Sequence, residues 1–383
     1  MKKTILFTLS HILVAALAVF LALQLTDSYS REAPSKLDEL ESLILECFIG
    51  EKDKTAMEDA AAEAMVASLG DRWSYYIPAD QYATYLEQME NAYVGVGITI
   101  QVAEDGSGFL ILEVSKGGPA EAAGVLPEDT LVAIEGISAA GMDINEARNL
   151  VRGEEGTFVN LTFRRDGSQR TLQVERKKIE TPVAYWQMLE GNVGLVEIVN
   201  FDQRCAQETL KGIEELLDAG AKALIFDVRG NPGGYAAEMV KILDYLLPEG
   251  ELFRTRDYAG RETVDKSDGK FLDIPMAVIV NGESYSAAEF FAQALREYDA
   301  ALVVGEKTCG KGYFQYTLTL SDGSAVGLSV GKYFTPRGLS LAEVGVTPDV
   351  EIPMDAETWY DVYYDLLDPM EDPHILAALD LLK

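Results

Sequence analysis

The spacing of apolar residues changes along the chain, and each stretch predicts a different kind of structure. From residue 36 to about 89, apolar side chains recur every three or four positions, which predicts helices interrupted at 68 to 76 by a turn with exposed aromatic residues. From 93 to 178, short apolar runs divided by glycines predict a small, partly open β-barrel. After 181, strands alternate with amphipathic helices, which predicts a mixed or parallel sheet with helical crossovers.

The last stretch also predicts where a site would form. Apolar strands at 223 to 228 and 277 to 280 are each followed by a loop, at 229 to 234 and 281 to 286, and then by a helix. In such sheets the loops at the carboxyl ends of the strands line the active crevice. We therefore expect the two loops to lie on the same side of the sheet.

A separate apolar segment occupies the N-terminus. Residues 5 to 25 carry no charge and follow Lys2 and Lys3, and this length spans a bilayer. Lysines before the segment and acidic residues after it predict a single-pass anchor in the bacterial cell membrane with the body outside the cytoplasm. The alternative is a signal peptide cleaved near 28 to 30, with secretion of the body, but the apolar run exceeds the usual signal-peptide core.

Composition narrows the range of partners. Of the 383 residues 48% are apolar and 25% charged, which is ordinary for a globular protein, and the length suggests several domains. The net charge of -31 disfavours nucleic acid and anionic membrane surfaces as partners because like charges repel, although it also serves solubility. Three widely spaced cysteines without accompanying histidines indicate neither disulfides nor a metal site, and nothing indicates a cofactor.

The scarcity of histidine bears on the chemistry. The two histidines are His11, inside the apolar segment, and His374, near the C-terminus. Ser286 stands at the start of a predicted helix, where the field of the helix favours a developing negative charge, and a nucleophilic serine there needs a base. Lys311, between two glycines, is a candidate if burial lowers its pKa by about three units. The alternatives are an N-cap serine at Ser286 and an ordinary turn in the Pro-Gly-Gly loop at 232 to 234.

Taken together, the motifs resemble the carboxyl-terminal processing peptidases, or tail-specific proteases, in which a PDZ domain is embedded in a serine protease. The resemblance covers about residues 36 to 354. Its motifs are Gly70-Asp71 with Ser74-Tyr-Tyr76, a glycine loop at 95 to 98, Arg152-Gly-Glu-Glu-Gly-Thr157, Asp227-Val-Arg-Gly-Asn-Pro-Gly-Gly234, Asn281 to Glu289, Gly305-Glu-Lys-Thr-Cys-Gly-Lys-Gly312 with Gln315, Asp322-Gly-Ser324, Tyr333-Phe-Thr-Pro336 and Gly345-Val-Thr-Pro-Asp349.

This resemblance implies an α/β fold, or more fully an α+β multidomain chain, with a Clp/crotonase-like protease core. It implies Ser286 as nucleophile, Lys311 as general base and Gln315 as the group that orients the lysine. By analogy the backbone N–H groups of Gly233 and Ala287 are the oxyanion donors. The domains then divide into an anchor at 1 to 30, a helical segment at 31 to 90, a PDZ β-barrel at 91 to 178, the protease core at 179 to 354 and an acidic tail at 355 to 383.

For the PDZ segment the resemblance implies peptide binding at Gly95, Val96, Gly97 and Ile98. Backbone N–H groups at such a loop hold a peptide's terminal carboxylate, and the adjoining strand edge pairs with the peptide. The expected partners are therefore protein or peptide substrates with free C-termini. Arg152, beside a glycine-rich turn, is a candidate for coupling peptide binding to the protease, and its alternative is a solvated surface arginine.

Two positions depart from the family pattern and three rival functions stay open. Cys309 stands where an apolar aromatic residue is common, and Tyr285 stands where a small residue is usual. The main rival is a membrane-anchored PDZ scaffold whose degenerate protease body only captures peptides. An α/β-hydrolase using His374 lacks the last glycine of its nucleophile motif, and a penicillin-binding enzyme lacks Ser-x-x-Lys near Ser286. The helical segment could pack on the body or on a second protomer, which leaves a homo-oligomer open.

Overall fold

The computed structural model describes residues 35 to 383, apart from the side chain of residue 88. The predicted anchor at 5 to 25 lies outside the described residues. The described residues divide into two compact units, one that ends at residue 72 and one from 73 to 383. Across residues 35 to 383, no helix combines the length and the apolar character needed to cross a membrane.

The helices and strands follow the chain in a regular order. The helices are α1 (Lys36–Cys47), α2 (Lys54–Ala67), α3 (Ala79–Met89), α4 (Pro119–Ala123), α5 (Ile144–Val151), α6 (Cys205–Asp218), α7 (Ala236–Leu246), α8 (Ala287–Glu297), α9 (Ala356–Tyr363) and α10 (Pro373–Leu381). The strands are β1 (Tyr75–Ile77), β2 (Ala92–Gly95), β3 (Ile98–Val102), β4 (Phe109–Val114), β5 (Thr130–Ile134), β6 (Ile137–Ser138), β7 (Phe158–Arg165), β8 (Ser168–Glu175), β9 (Lys177–Glu180), β10 (Ala184–Leu189), β11 (Val193–Ile198), β12 (Ala223–Asp227), β13 (Gly250–Asp257), β14 (Glu262–Ser267), β15 (Met276–Val280), β16 (Ala301–Gly305), β17 (Tyr313–Thr319), β18 (Ala325–Phe334) and β19 (Val350–Glu351).

The first unit, as described from residue 35, consists of α1 and α2. Ser35 begins α1 with a capping box, in which its side chain accepts the Asp38 N–H and the Asp38 side chain accepts the Ser35 N–H. The Asp53 side chain caps α2 by accepting the Ala56 N–H at 3.1 Å. These two helices, with α3 in the second unit, confirm the helical prediction for residues 36 to 89.

A six-stranded sheet forms the centre of the second unit. Its order is β10, β11, β12, β15, β16, β19, and every pair is parallel except β10 with β11. Alternate residues of β12 enter opposite layers. Leu224 and Phe226 pack with α6, α7 and α8, whereas Ile225 packs with Ile375 of α10. The predicted parallel sheet with helical crossovers is therefore confirmed, and both faces are covered, as parallel sheets require.

The segment from 93 to 178 forms a second core of its own. Its sheet has the order β3, β4, β5, β7, β8, with β6 paired to β5. The first and last strands of the segment, β2 and β9, pair with each other in a separate two-stranded sheet. Phe109, Leu131 and Leu161 are fully buried in this core, and Ala147 brings α5 into it. The strands predicted there are present, and the five-residue helix α4 lies between β4 and β5.

An antiparallel sheet was not predicted. Its order is β1, β18, β13, β14, with β17 also on β18. The prediction of a turn with exposed aromatic residues at 68 to 76 is wrong at its C-terminal end, because Tyr75 lies in β1. The Tyr75 hydroxyl lies 2.7 Å from the hydroxyl of Tyr85 and 2.9 Å from that of Thr317, and the ring is half-buried.

The acidic tail is ordered where its composition predicts a solvated face. Asp372 begins α10 by accepting the His374 N–H at 2.8 Å, and both residues are buried. The Arg229 guanidinium provides the reason, since it lies 2.8 Å from the Asp372 carboxylate. The predicted solvated face is thus wrong for this end of the tail.

Candidate active site

The two predicted loops meet at Ser286. β12 and β15 are parallel neighbours, so the loops that follow them emerge on the same side of the sheet. A Cβ atom at Gly233 would lie 2.7 Å from Ser286 Cβ and 3.0 Å from the Ala287 nitrogen. Only a glycine therefore fits at position 233, and its φ of +89° is also in the region that favours glycine.

Ser286 has an unusual backbone for a helix N-cap. Its φ is +59° and its ψ is -125°, whereas N-cap residues ordinarily have an extended backbone. Such a conformation costs about 1 to 3 kcal/mol in a residue other than glycine, and it occurs preferentially at functional sites. The side chain is 6% exposed and stands at the N-terminus of α8. The serine is therefore held in a strained position beside the Gly233 loop.

The Glu289 carboxylate joins the serine loop to the lysine loop. One carboxylate oxygen, Oε2, accepts the Ser286 N–H at 2.9 Å and the Lys311 N–H at 2.8 Å. The other, Oε1, accepts the Gly310 N–H at 2.7 Å and the Thr308 hydroxyl. Burial raises the pKa of Glu289, and these four hydrogen bonds oppose that shift. The backbones of Ser286 and Lys311 are thus brought to the same carboxylate oxygen.

The amine of Lys311 lies close to two aromatic rings. Its Nζ lies 4.8 Å from the centroid of the Trp73 ring and 5.6 Å from that of Tyr285. The two ring centroids are 5.9 Å apart. All three side chains are partly buried. The position of Tyr285, where the family ordinarily has a small residue, is thus next to the candidate base.

Gln315 lies on β17, four positions after Lys311. Its Nε2 donates to the Ser329 hydroxyl at 2.9 Å and to the Tyr313 carbonyl at 3.4 Å. Ser329 is on β18, which pairs with β17. The antiparallel sheet therefore fixes the side chain of Gln315, and its predicted role in orienting Lys311 stays a prediction.

The predicted oxyanion donors are adjacent, and one of them has a partner. The Gly233 N–H donates to Asn231 Oδ1 at 2.8 Å, and Asn231 Nδ2 donates to the Ile198 carbonyl at 2.7 Å. Asn231 is fully buried. An oxyanion at Ser286 would have to replace the Asn231 oxygen or share the Gly233 N–H with it. The backbone nitrogen of Ala287 lies beside Gly233, as a donor pair requires.

The other serine of the loop has a structural role. The Ser284 hydroxyl donates to the Val228 carbonyl at 2.7 Å and accepts the Asn281 N–H at 3.0 Å, and Ser284 is fully buried. Asn281 Oδ1 accepts the Gly230 N–H at 2.9 Å. These bonds fasten the serine loop to the glycine loop.

Arg229 and His374 form a buried network behind the glycine loop. The Arg229 guanidinium bonds to both carboxylate oxygens of Asp227 and to Asp372. Burial lowers the pKa of Arg229, but these two carboxylates more than offset that effect and raise it. His374 Nδ1 lies 3.4 Å from the guanidinium, and Nε2 lies 2.8 Å from the Ile352 carbonyl. Both ring nitrogens of His374 are thus occupied.

A groove marks the candidate peptide site of the middle segment. It has a volume of about 300 Å³, and Gly95, Val96, Gly97 and Ile98 line it together with α5. Arg152, at the end of α5, pairs with Glu87 of α3 at 3.1 Å and covers the Tyr93 ring at 5.1 Å. Arg148 also lines the groove. In a strongly acidic chain, the groove therefore presents two cations.

Sequence reasoning missed several of these contacts. Glu289 could be recognised only as a helix cap, because Ser-x-x-Glu is a common capping pattern. Nothing in the sequence predicted the contacts of Asn231 with Gly233, of Trp73 with Lys311 or of Arg229 with Asp372. Among residues 35 to 383, no group of three or more His, Cys, Asp and Glu side chains is arranged to hold a metal ion.

Comparison with known proteins matches the central-sheet region and the middle segment each to a known family. The pattern of peptidase family S41 matches residues 192 to 352, and the PDZ domain pattern matches residues 110 to 165. The first match covers both loops of the candidate site. The second covers most of the middle segment's sheet.

Curated relatives and a solved structure agree with these matches. The carboxy-terminal processing protease CtpA of Bacillus subtilis is 33% identical over 82% of this chain and 68% of its own length. A CtpA-like serine protease of Staphylococcus aureus is 30% identical over 83% of this chain and 64% of its own length. The chain thus spans about two thirds of the length of these relatives. A Bacteroides fragilis crystal structure named as an S41 protease has a TM-score of 0.53 at 16% identity, over 92% of this chain and 98% of its own, which supports the fold.

Proposed function

Because the chain belongs to peptidase family S41, the carboxy-terminal processing serine proteases, we propose that it cleaves extracytoplasmic proteins near their C-termini with a Ser286–Lys311 dyad. The observation that carries this proposal is the meeting of three loops at Ser286. Gly233 is in contact with Ser286, and one oxygen of Glu289 accepts the N–H groups of both Ser286 and Lys311. A nucleophile, a base and two backbone donors then share one small region.

The reaction begins with proton transfer from the serine. Neutral Lys311 takes the hydroxyl proton as Ser286 Oγ forms a bond to the substrate carbonyl carbon, and Lys311 then gives that proton to the leaving amine as the C–N bond breaks. Water repeats the sequence on the acyl-enzyme and releases the new carboxylate. The N–H groups of Gly233 and Ala287 stabilise the oxyanion, for which the Gly233 N–H has to turn from Asn231 Oδ1. Gln315 orients the neutral amine from β17.

The middle segment supplies substrate recognition in this proposal. A C-terminal peptide adds to the edge of β3 beside α5, and its carboxylate binds the N–H groups of the loop from Gly95 to Ile98. Arg152 contributes positive charge at the groove, where Glu87 is its present partner. An incoming carboxylate competes with Glu87 for Arg152. Peptide binding is thereby coupled to α3, which connects β1 to the PDZ segment.

The extracytoplasmic location rests on residues 5 to 25. Fractionation of cells that make the full chain should place it in the membrane, with its body accessible to added protease only after the outer layers are permeabilised. Release of a shortened body into the medium would instead support a cleaved signal peptide.

The test of the dyad compares two lysines of one loop. Lys311→Met and Ser286→Ala should abolish cleavage of a tagged peptide with a free C-terminus, whereas Lys307→Met should retain it because Lys307 is exposed. Amidation of the peptide should reduce cleavage by the wild type. If the wild type binds the peptide but leaves it intact, the rival PDZ scaffold is supported instead.

A further inference from the structure

Two aromatic rings flank the amine of the proposed base. The faces of aromatic rings carry partial negative charge, so a cation within about 6 Å of the centroid is stabilised. The Lys311 Nζ meets this condition for Trp73, at 4.8 Å, and for Tyr285, at 5.6 Å. The two ring centroids are 5.9 Å apart, so both rings lie within reach of the one amine.

We propose that Trp73 and Tyr285 form an aromatic cage that fixes the Lys311 amine and stabilises its ammonium form. This inference rests on the proposed function, in which Lys311 is the base. A ring face attracts the ammonium group and offers little to the neutral amine, so the cage opposes loss of the proton. Trp73 and Tyr285 are therefore positioning residues that hold the base in a charged resting form.

The cage has a consequence for the proton balance. In the resting enzyme Lys311 carries a proton that has to leave to solvent before the amine can accept the hydroxyl proton of Ser286. Because the cage stabilises the ammonium, this first loss requires a higher pH than it would without the rings. The acid limb of the pH profile, where activity rises as Lys311 is deprotonated, is displaced upward by the two rings.

Other titratable groups surround the cage. Glu289 accepts the Lys311 N–H, and Cys309 and Glu283 are close enough to Tyr285 to influence it. Burial, with those two groups, raises the pKa of Tyr285, which favours the neutral phenol. These groups are unchanged when Trp73 is replaced, and a comparison of variants at that position isolates the ring.

The experiment compares Trp73→Leu with Trp73→Phe, and Tyr285→Leu with Tyr285→Phe. Leucine excludes water as phenylalanine does but has no ring face. The acid limb of kcat/KM, which reports the free enzyme, is measured with one free-ended peptide. Each leucine variant should shift the limb to lower pH by about 0.4 to 1.5 units, and the phenylalanine variants should stay nearer the wild type. Limbs that coincide in the paired variants, or that move upward with leucine, overturn the cage.

A second measurement does not require cleavage. In the full chain with Ser286→Ala, tryptophan emission should change with pH as Lys311 titrates, and the change should disappear on adding Lys311→Met. A change of the same size in both proteins, or none in either, contradicts the cage, even where a leucine variant fails to fold. Loss of cleavage in Ser286→Ala and Lys311→Met supports the proposed function, whether or not the acid limb of the pH profile shifts in the ring variants. The two ideas therefore fail separately.

Discussion

Single residues bring the reacting groups together, and Glu289 does so with one carboxylate. Its four donors come from three points of the chain, Ser286, Thr308 and the pair Gly310 and Lys311. Because the side chain is fully buried, water cannot replace any of these bonds. The position of the serine relative to the lysine therefore depends on this group remaining an acceptor at both oxygens.

Glu289→Gln should inactivate the enzyme beyond its effect on folding. The amide group would face donors, and each donor left unsatisfied costs about 1 to 3 kcal/mol of unfolding free energy. A displacement of about 1 Å between reacting groups can lower kcat about 100-fold. The matched control is Glu238→Gln, a buried carboxylate that accepts the Ala206 N–H at 3.1 Å and pairs with Lys241. Urea unfolding should show a loss of stability in both variants, whereas kcat should fall in Glu289→Gln alone. Equal kcat values in the two variants would contradict this role of Glu289.

Gly233 permits a second residue-level prediction, because the structure offers a matched glycine. Gly233→Ala places a methyl group against Ser286 and should lower kcat about 100-fold or more by displacing an oxyanion donor. Gly260 has a φ of +78° and nothing within 4 Å of an added Cβ. Gly260→Ala should therefore cost about 1 to 2 kcal/mol of stability and leave kcat unchanged. Similar kcat values in the two variants would show that the contact at Ser286 is unimportant.

At the scale of elements, α3 connects the peptide groove to the antiparallel sheet. It begins two residues after β1 and ends near Glu87, which pairs with Arg152 at the groove. Both side chains are 33% exposed, so their ion pair contributes at most about 1 kcal/mol. Such a weak pair suits competition with an incoming carboxylate, because it can be broken at small cost.

Glu87→Gln should lower the KM for a free-ended peptide by up to about fivefold, because Arg152 is then available to the carboxylate. An amidated peptide should show no such change. Glu90→Gln is the control, since Glu90 pairs with Lys178 at 2.7 Å with similar exposure. The KM for both peptides is measured by steady-state kinetics. An equal change of KM in the two variants would show that Arg152 does not take part in recognition of the carboxylate.

The same scale shows what local pattern could predict. The strands predicted at 223 to 228 and 277 to 280 match β12 and β15 to within one residue, because each is a short apolar run that is buried throughout. The strands β13, β17 and β18 were missed, since their residues alternate only partly between buried and exposed. Their pairing also joins distant segments, such as β1 with β18, and no local spacing encodes that register.

For the candidate site, the sequence predicted which loops meet but not what holds them. Parallel strands place their following loops together wherever they lie in the chain, so Ser286 and Gly233 could be paired in advance. The aromatic rings at Lys311 could not, because Trp73 reaches it through tertiary packing. Nor could the buried state of His374, whose acidic surroundings in the sequence indicate solvent.

On the scale of the whole molecule, α10 braces the glycine loop from the opposite face of the central sheet. Asp372 and Asp227 hold the Arg229 guanidinium, whose side chain is 3% exposed. Removing one partner of a buried ion pair costs about 3 to 5 kcal/mol, because a charge is left without compensation. Since Asp227 remains, the loss at Asp372 should lie near the lower end of that range.

Asp372→Ala should therefore lower the unfolding free energy by about 3 kcal/mol and reduce kcat, because Arg229 begins the loop that carries Gly233. Asp380→Ala removes an exposed carboxylate of the same tail, paired with Lys383, and should change stability by less than about 1 kcal/mol. Urea denaturation with activity assays measures both. If Asp372→Ala is destabilised but has a normal kcat, the ion pair between Asp372 and Arg229 does not contribute to catalysis. His374→Ala should also lose stability, since its ring contacts Arg229 and Ile352.

The brace on Arg229 also bears on when the protease becomes dangerous to its own cell. Ribosomes add Asp372 long after Arg229, so a nascent chain that already contains the serine and glycine loops still lacks the carboxylate that holds Arg229 from α10. Full proteolytic competence would then arrive only after Asp372 has been added. A chain stalled or broken before residue 372 would cleave more slowly than a chain that includes α10, a safeguard that needs no inhibitor.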